Sequence, residues 1–282
     1  ALVGKTKKII YLKDGELAEI SEDKIVITNA QAEPTTPEIT KLEWNLEQAQ
    51  KGDYSYFMLK EIFEGPEVVR AAVRGRLKIT ERLVKLGGLE LVAKELSKIK
   101  RLIILGCGTS YHAGLVGEYF FEEIAQIPTE VHFASEFRYR NEPFEVGTVV
   151  IAISQSGETA DTLAALNKAK EQGLLTLGIV NVVGSTIVRE TKAGVYNHAG
   201  PEIGVASTKA FLSQLTTLLL MAINFAKDKK SLPKNLFKEI ESIPKKIERV
   251  LAQAKLVEKI ATKYKNFNHF LFLGRRYNYP TA

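Results

Sequence analysis

One cysteine, Cys107, stands among 282 residues, which excludes an intramolecular disulfide framework and suits a reducing compartment. No run of about 18 apolar residues occurs, so a membrane-spanning helix is not expected. The longest candidate, Leu212 to Ala226, is interrupted by Ser213, Gln214, Thr216, Thr217 and Asn224 and reads as a buried helix. Residues 1–8 lack the apolar core of a secretory signal. Neither sign of charge dominates: 39 basic and 33 acidic residues leave a net +6. The densest basic block, Lys227 to Lys230 with Lys234 and Lys238, is interleaved with Asp228 and Glu239 and reads as a solvated face, not a nucleic-acid patch. His112, His132, His198 and His269 show no metal-ligand spacing, and each reads as structural. These absences leave a cytoplasmic protein with no metal, no cofactor, no nucleic acid and no membrane among its expected partners.

Apolar residues at 45% and charged residues at 26% describe an ordinary globular chain long enough for more than one domain. Residues 1–30 carry short β-prone runs, Lys8 to Leu12 and Leu17 to Ile20 around the turn signal Asp14-Gly15, then Lys24 to Thr28. Three such strands cannot bury a core, so they are expected to close a domain lying upstream. A polar stretch with Pro34 and Pro37, residues 31–52, reads as a linker. Helices are predicted from Tyr54 through Glu61, from Glu67 to Val84 after a break at Gly65-Pro66, and from Leu89 to Ile99.

Beyond Arg101 strands and helices alternate: strand Arg101 to Leu105, a helix to about Gln126, strands Glu130 to Ala134 and Thr148 to Ile153, then helix Thr159 to Gln172. Strand Leu175 to Asn181, a short helix near Ser185 to Thr191, strand Val195 to His198 and a long helix from about Ser207 to Ala226 follow. This pattern predicts an α/β fold with a doubly wound, mostly parallel sheet covered on both faces. Ligands of such sheets sit at the carboxyl ends of strands beside a switch in strand order. Residues 232–265 read as two charged amphipathic helices. Phe270 to Gly274 repeats the form of Ile103 to Gly106, an apolar strand ending in glycine, and suggests the start of a second copy of the unit.

The most telling stretch is Ser154-Gln155-Ser156-Gly157-Glu158-Thr159, set between a strand and a helix. Unpaired amides, the positive end of the helix dipole and hydroxyl donors together make a phosphate cradle. Glu158 either tunes that site or caps a helix. Gly106-Cys107-Gly108-Thr109-Ser110 places two glycines and two hydroxyls after another strand. It lacks the third glycine of a dinucleotide fingerprint and the Gly-Lys-Ser/Thr close of a nucleoside-triphosphatase loop. Cys107 there is either a nucleophile at a helix start or a small space-filler. In Gly204-Val205-Ala206-Ser207-Thr208-Lys209, helix capping by Ser207 and ligand contact both remain open.

These motifs, with Ala134-Ser135-Glu136-Phe137-Arg138-Tyr139-Arg140, Glu202 to Phe211, Phe272 to Arg275 and Tyr279-Pro280, resemble the glutamine–fructose-6-phosphate aminotransferase (isomerising) family, also called glucosamine-6-phosphate synthases, and its sugar isomerase (SIS) domain. The resemblance implies a flavodoxin- or Rossmann-like three-layer fold. It also implies an activity that converts fructose 6-phosphate and glutamine to glucosamine 6-phosphate and glutamate. By motif, Ser154, Gln155, Ser156 and Thr159, helped by Ser110, would hold the phosphate. Thr109 and the backbone at Cys107 and Gly108 would line the sugar, with Val205 and Ser207 nearby.

On the same resemblance, residues 1–30 match the last strands of a glutaminase domain, 53–230 a first SIS domain, and 231–282 connecting helices and the start of a second. The family's glutaminase cysteine is then expected upstream of Ala1. Its isomerisation Glu, Lys and His are expected beyond Ala282, with glutamine bound by the missing domain and the site completed in a homodimer. The 282 residues would bind the phosphosugar and catalyse nothing alone. The alternative is a phosphosugar-sensing SIS regulator, but no recognition helix rich in Arg, Asn and Gln precedes residue 100.

Overall fold

The computed structural model describes residues 6, 8–41, 50–141, 143–228 and 231–282. Residues 42–49 of the expected linker, and Lys229 and Lys230 of the basic block, lie outside the described residues. The chain divides into two compact units, Ala1–Gly52 and Asp53–Ala282.

The first unit holds two antiparallel pairs. β1 (Lys8–Ile10) pairs with β4 (Ile39–Lys41), while β2 (Leu17–Ile20) pairs with β3 (Ile25–Thr28). The hairpin expected across Asp14-Gly15 is therefore corrected. A turn does form there, with Glu16 N–H on the Lys13 carbonyl at 3.0 Å, but the β2–β3 hairpin reverses at Ser21 to Lys24. Ser21 helps that reversal, its hydroxyl bonding the Lys24 carbonyl at 3.2 Å.

The second unit opens with α1 (Phe57–Phe63) and α2 (Gly65–Val73). Pro66 sits in the first turn of α2, where its missing N–H costs nothing. The helix predicted to run to Val84 stops at Val73. Gly75 takes a left-handed φ of +73°, and Leu77–Lys78 (β5) and Leu83–Val84 (β6) make a two-residue antiparallel pair. Leu89 to Ile99 also departs from the expected single helix. It is a 3-10 turn over Gly87–Val92 followed by one turn of α-helix, α3 (Ala93–Leu96).

The central sheet is built from β7 (Arg101–Gly106), β8 (Thr129–Phe133), β9 (Thr148–Ser154), β10 (Leu175–Val180) and β11 (Ala193–Tyr196). All pairings are parallel and the order is β8-β7-β9-β10-β11. Its helices are α4 (Thr109–Phe120), α5 (Ala134–Phe137), α6 (Ala160–Glu171), α7 (Thr186–Glu190) and α8 (Lys209–Phe225). Alternation along the strands sorts the core onto two faces. Leu102 and Ile104 pack with Ala113 of α4 and Leu218 and Met221 of α8. Ile103, Leu105 and Val150 pack with Phe137 of α5 and Ala165 and Ala169 of α6. The sheet is thus doubly wound, as expected, and its order reverses between β7 and β9, which puts the ligand crevice at the ends of those two strands.

Two amphipathic helices follow, α9 (Leu236–Leu251) and α10 (Ala254–Tyr264). Of the basic block, Lys227 and Lys234 are exposed but outside any helix. The strand expected at Phe270 to Gly274 does not form. Those residues are coil, and Phe270 to Leu273 are exposed, because an apolar strand persists only against a partner strand. Among the described residues no helix is long and apolar enough to cross a membrane.

Candidate functional site

β9 ends at Ser154, which is buried, and the chain then turns through Ser156 and Gly157 into α6. Ser154 Oγ accepts the Gly157 N–H at 2.9 Å and lies 3.1 Å from Thr159 Oγ1. Ser156 Oγ accepts the Glu158 N–H at 3.1 Å. Gly157 holds φ at +71°, and a Cβ there would fall on the side chain of buried Ser185. Thr159 is the residue before α6, but its hydroxyl turns to Ser154, and among the described residues no side chain caps the helix. The first turn of α6 therefore presents its amides beside two hydroxyls, an arrangement that attracts an anion.

Glu158 faces away from this cradle. Its two oxygens accept Thr186 N–H at 2.8 Å and Thr186 Oγ1–H at 2.6 Å, so it caps the neighbouring α7. Ile187 N–H on the Gly157 carbonyl at 3.0 Å adds a second tie between the two loops.

The β7 loop lies across the switch in strand order. Gly106 has no room for a Cβ, which would sit 2.8 Å from Tyr111 N, and Gly108 turns the chain at φ +56° into α4. Half-buried Cys107 packs on the apolar face beneath α6 and receives Thr162 Oγ1–H at 3.9 Å, a space-filler's place that joins the two loops. Ser110 is buried and accepts from Gln214 Nε2 of α8 at 3.0 Å. Exposed Thr109 looks instead into a cavity of about 830 Å³, shared with His112, Tyr111, Phe133, Ser207 and Thr208. Tyr111 and Phe133 stack on its wall at 3.6 Å between centroids.

The 202–209 loop is fastened by carboxylates. Glu202 accepts Ser207 Oγ–H at 2.8 Å, Thr208 N–H at 2.9 Å and Ala210 N–H at 3.1 Å. Capping of α8 thus falls to Glu202, and Ser207 only supports it. Glu61 of α1, 2% exposed, accepts the N–H groups of Ile203 and Gly204 at 2.6 and 3.1 Å. Lys209 is buried on Glu64 at 2.5 Å. Val205 stands between these anchors with its side chain fully in solvent, so only its backbone is left to meet a ligand. At the next corner, burial and then Arg76 push the His198 imidazole below its ordinary range, which favours its neutral form.

Of the ten residues singled out from the sequence, Ser154, Ser156 and Thr159 share one hydrogen-bonded turn with Gly157, and Cys107 is bonded by Thr162 in the first turn of α6. Gln155 is half-buried in the same turn and makes no hydrogen bond to the chain among the described residues. Gly108 and Ser110 shape the start of α4, while Thr109 and Ser207 meet on the cavity wall. Glu61, Glu202 and Gln214 were given no role on sequence grounds. Glu202, five residues before Ser207, had a local signal in its nearness to a helix start. Glu61 had none, being 142 residues from its partner.

A SIS domain matches residues 95–224. Along its whole length the chain is 48% identical to an isomerizing glutamine–fructose-6-phosphate aminotransferase of Chlorobaculum tepidum, covering 46% of that protein. It is 45% identical to that of Aquifex aeolicus, again along the whole chain and 45% of the relative. Among solved structures, the C-terminal domain of glucosamine-fructose-6-phosphate aminotransferase from Francisella tularensis superposes with a TM-score of 0.75 at 39% identity, over 82% of this chain and 65% of that one. The chain spans about half the length of the curated relatives it matches. The resemblance read from its motifs is borne out: residues 95–224 match a SIS domain, and the chain is similar along its whole length to glutamine–fructose-6-phosphate aminotransferases.

Proposed function

We propose that this chain is the phosphosugar-holding part of an isomerizing aminotransferase that makes glucosamine 6-phosphate and glutamate from fructose 6-phosphate and glutamine. The observation that carries the reading is the uncapped, hydroxyl-lined start of α6 at the switch in strand order. The relatives favour an enzyme over a sugar-sensing regulator. Ser154, Gln155, Ser156 and Thr159 would take the phosphate oxygens, with Ser110 at their side. The sugar would lie toward Thr109, the backbone of Cys107 and Gly108, Val205 and Ser207.

These groups grip and orient. Hydroxyls and amides are too weakly basic to take a carbon-bound proton at neutral pH, whereas moving hydrogen between C1 and C2 of an open-chain sugar needs a positioned base. Lys209 is spent on Glu64 and is not free to form a Schiff base. His112, on the cavity wall, has no carboxylate fixing its tautomer among the described residues. Proton transfer on this reading comes from groups that join the site from another domain or subunit, in a cytoplasmic homodimer.

The test is protection against heat by glucosamine 6-phosphate. At about 100 times Kd a bound ligand adds about 2.7 kcal/mol. Ser154→Ala with Thr159→Ala is expected to abolish that gain, and unchanged protection would move the site elsewhere.

A further inference from the structure

The motif Ala134 to Arg140 lines neither the cradle nor the cavity, apart from Phe133 just before it, yet it is fastened to α6 at two points. Arg138 Nη1 bonds Asp161 Oδ1 at 2.9 Å, and Asp161 is the second residue of α6. Two turns on, the Lys168 ammonium donates to the carbonyls of Phe137 and Arg138 at 3.5 and 3.4 Å, and also to that of Arg140. Lys168 thereby closes the carboxyl end of α5 onto α6 and fixes where Arg138 stands.

The Arg138–Asp161 pair is about one-third to one-half exposed, and such pairs add little to stability. Its place is what gives it meaning. Asp161 lies within the first turn of the helix, about 3 Å of rise from the open end. The positive end of the dipole favours its carboxylate, as it favours a phosphate, so the two anions compete for one field.

We infer that Arg138 is a positioning residue for phosphosugar binding: it cancels the charge of Asp161, so that the dipole of α6 acts on the substrate's phosphate. The inference rests on the reading of the 154–159 turn as the phosphate cradle. Arg138 works through Asp161 and does not touch the ligand. A neighbouring unit charge through partly solvated surroundings changes an anion's affinity by roughly three- to tenfold.

The experiment is calorimetric titration of the full chain with glucosamine 6-phosphate at low and high salt. Arg138→Gln is expected to weaken binding about three- to tenfold at low salt, and Asp161→Asn to tighten it about twofold or more. The double variant returns to within about twofold of the unsubstituted chain, and the differences shrink as salt rises. Arg138→Lys, which keeps the charge, stays within about threefold. A double variant as weak as Arg138→Gln would overturn the inference, because it would mean that Arg138 meets the phosphate itself. Should Arg138→Gln fail to fold, Asp161→Asn alone decides, and unchanged or weaker binding overturns the inference. Ser154→Ala with Thr159→Ala runs alongside. If it binds as well as the unsubstituted chain, the cradle reading falls and takes this inference with it; if it loses binding while the charge variants change nothing, the inference falls alone.

Discussion

Helices α6 and α8 both follow strands of one sheet, and hydroxyl residues precede both, yet their first turns are satisfied in opposite ways. At α8 the chain supplies its own anion: Glu202 takes the Thr208 and Ala210 amides and the Ser207 hydroxyl. At α6 the nearby carboxylates are engaged elsewhere, Glu158 on α7 and Asp161 on Arg138, and Thr159 bonds Ser154 instead of the helix. The same local chemistry yields a closed structural cap in one place and an open helix start in the other. A helix start stays open to an anion when the carboxylates near it are engaged by other partners.

Substitutions that alter either end sharpen this contrast. The largest effect is expected at Gly157. Alanine there must adopt φ +71° and displace Ser185, which costs at least about 2 kcal/mol and deforms the cradle. Gly157→Ala should therefore lower both the melting temperature and phosphosugar affinity, and a variant that binds normally would show that the turn's shape is not what holds the ligand. Glu202→Ala is expected to cost about 1–2 kcal/mol, the loss of a helix cap and its supporting bonds. Because it opens the start of α8, added sulfate should stabilise this variant more than the unsubstituted chain, as read from melting temperatures. Equal stabilisation would mean that occupancy by Glu202 is not what separates the two helices.

Much of this was legible from residue order. β7, β9 and β10 announce themselves as continuous apolar runs, because strands buried on both faces need no alternation. The Ser154–Thr159 turn was readable because it depends on neighbours in sequence. Segment 74–84 misled because its apolar spacing suits a helix, while Gly75 breaks the backbone and the short β5–β6 pair takes over. Phe270 to Leu273 carries strand composition without a strand beside it. Residue order leaves hidden which carboxylate closes which helix end. Glu61 meets its loop across 142 residues, and Arg138 meets Asp161 across 23.

The claim that α6 is open and α8 is closed is tested most directly by backbone amide resonances. In the isotope-labelled chain titrated with glucosamine 6-phosphate, saturable shifts are expected at Ser156 to Thr162 and none of comparable size at Thr208 to Ala210. Shifts centred on Thr208 to Ala210, with Ser156 to Thr162 unmoved, would contradict it.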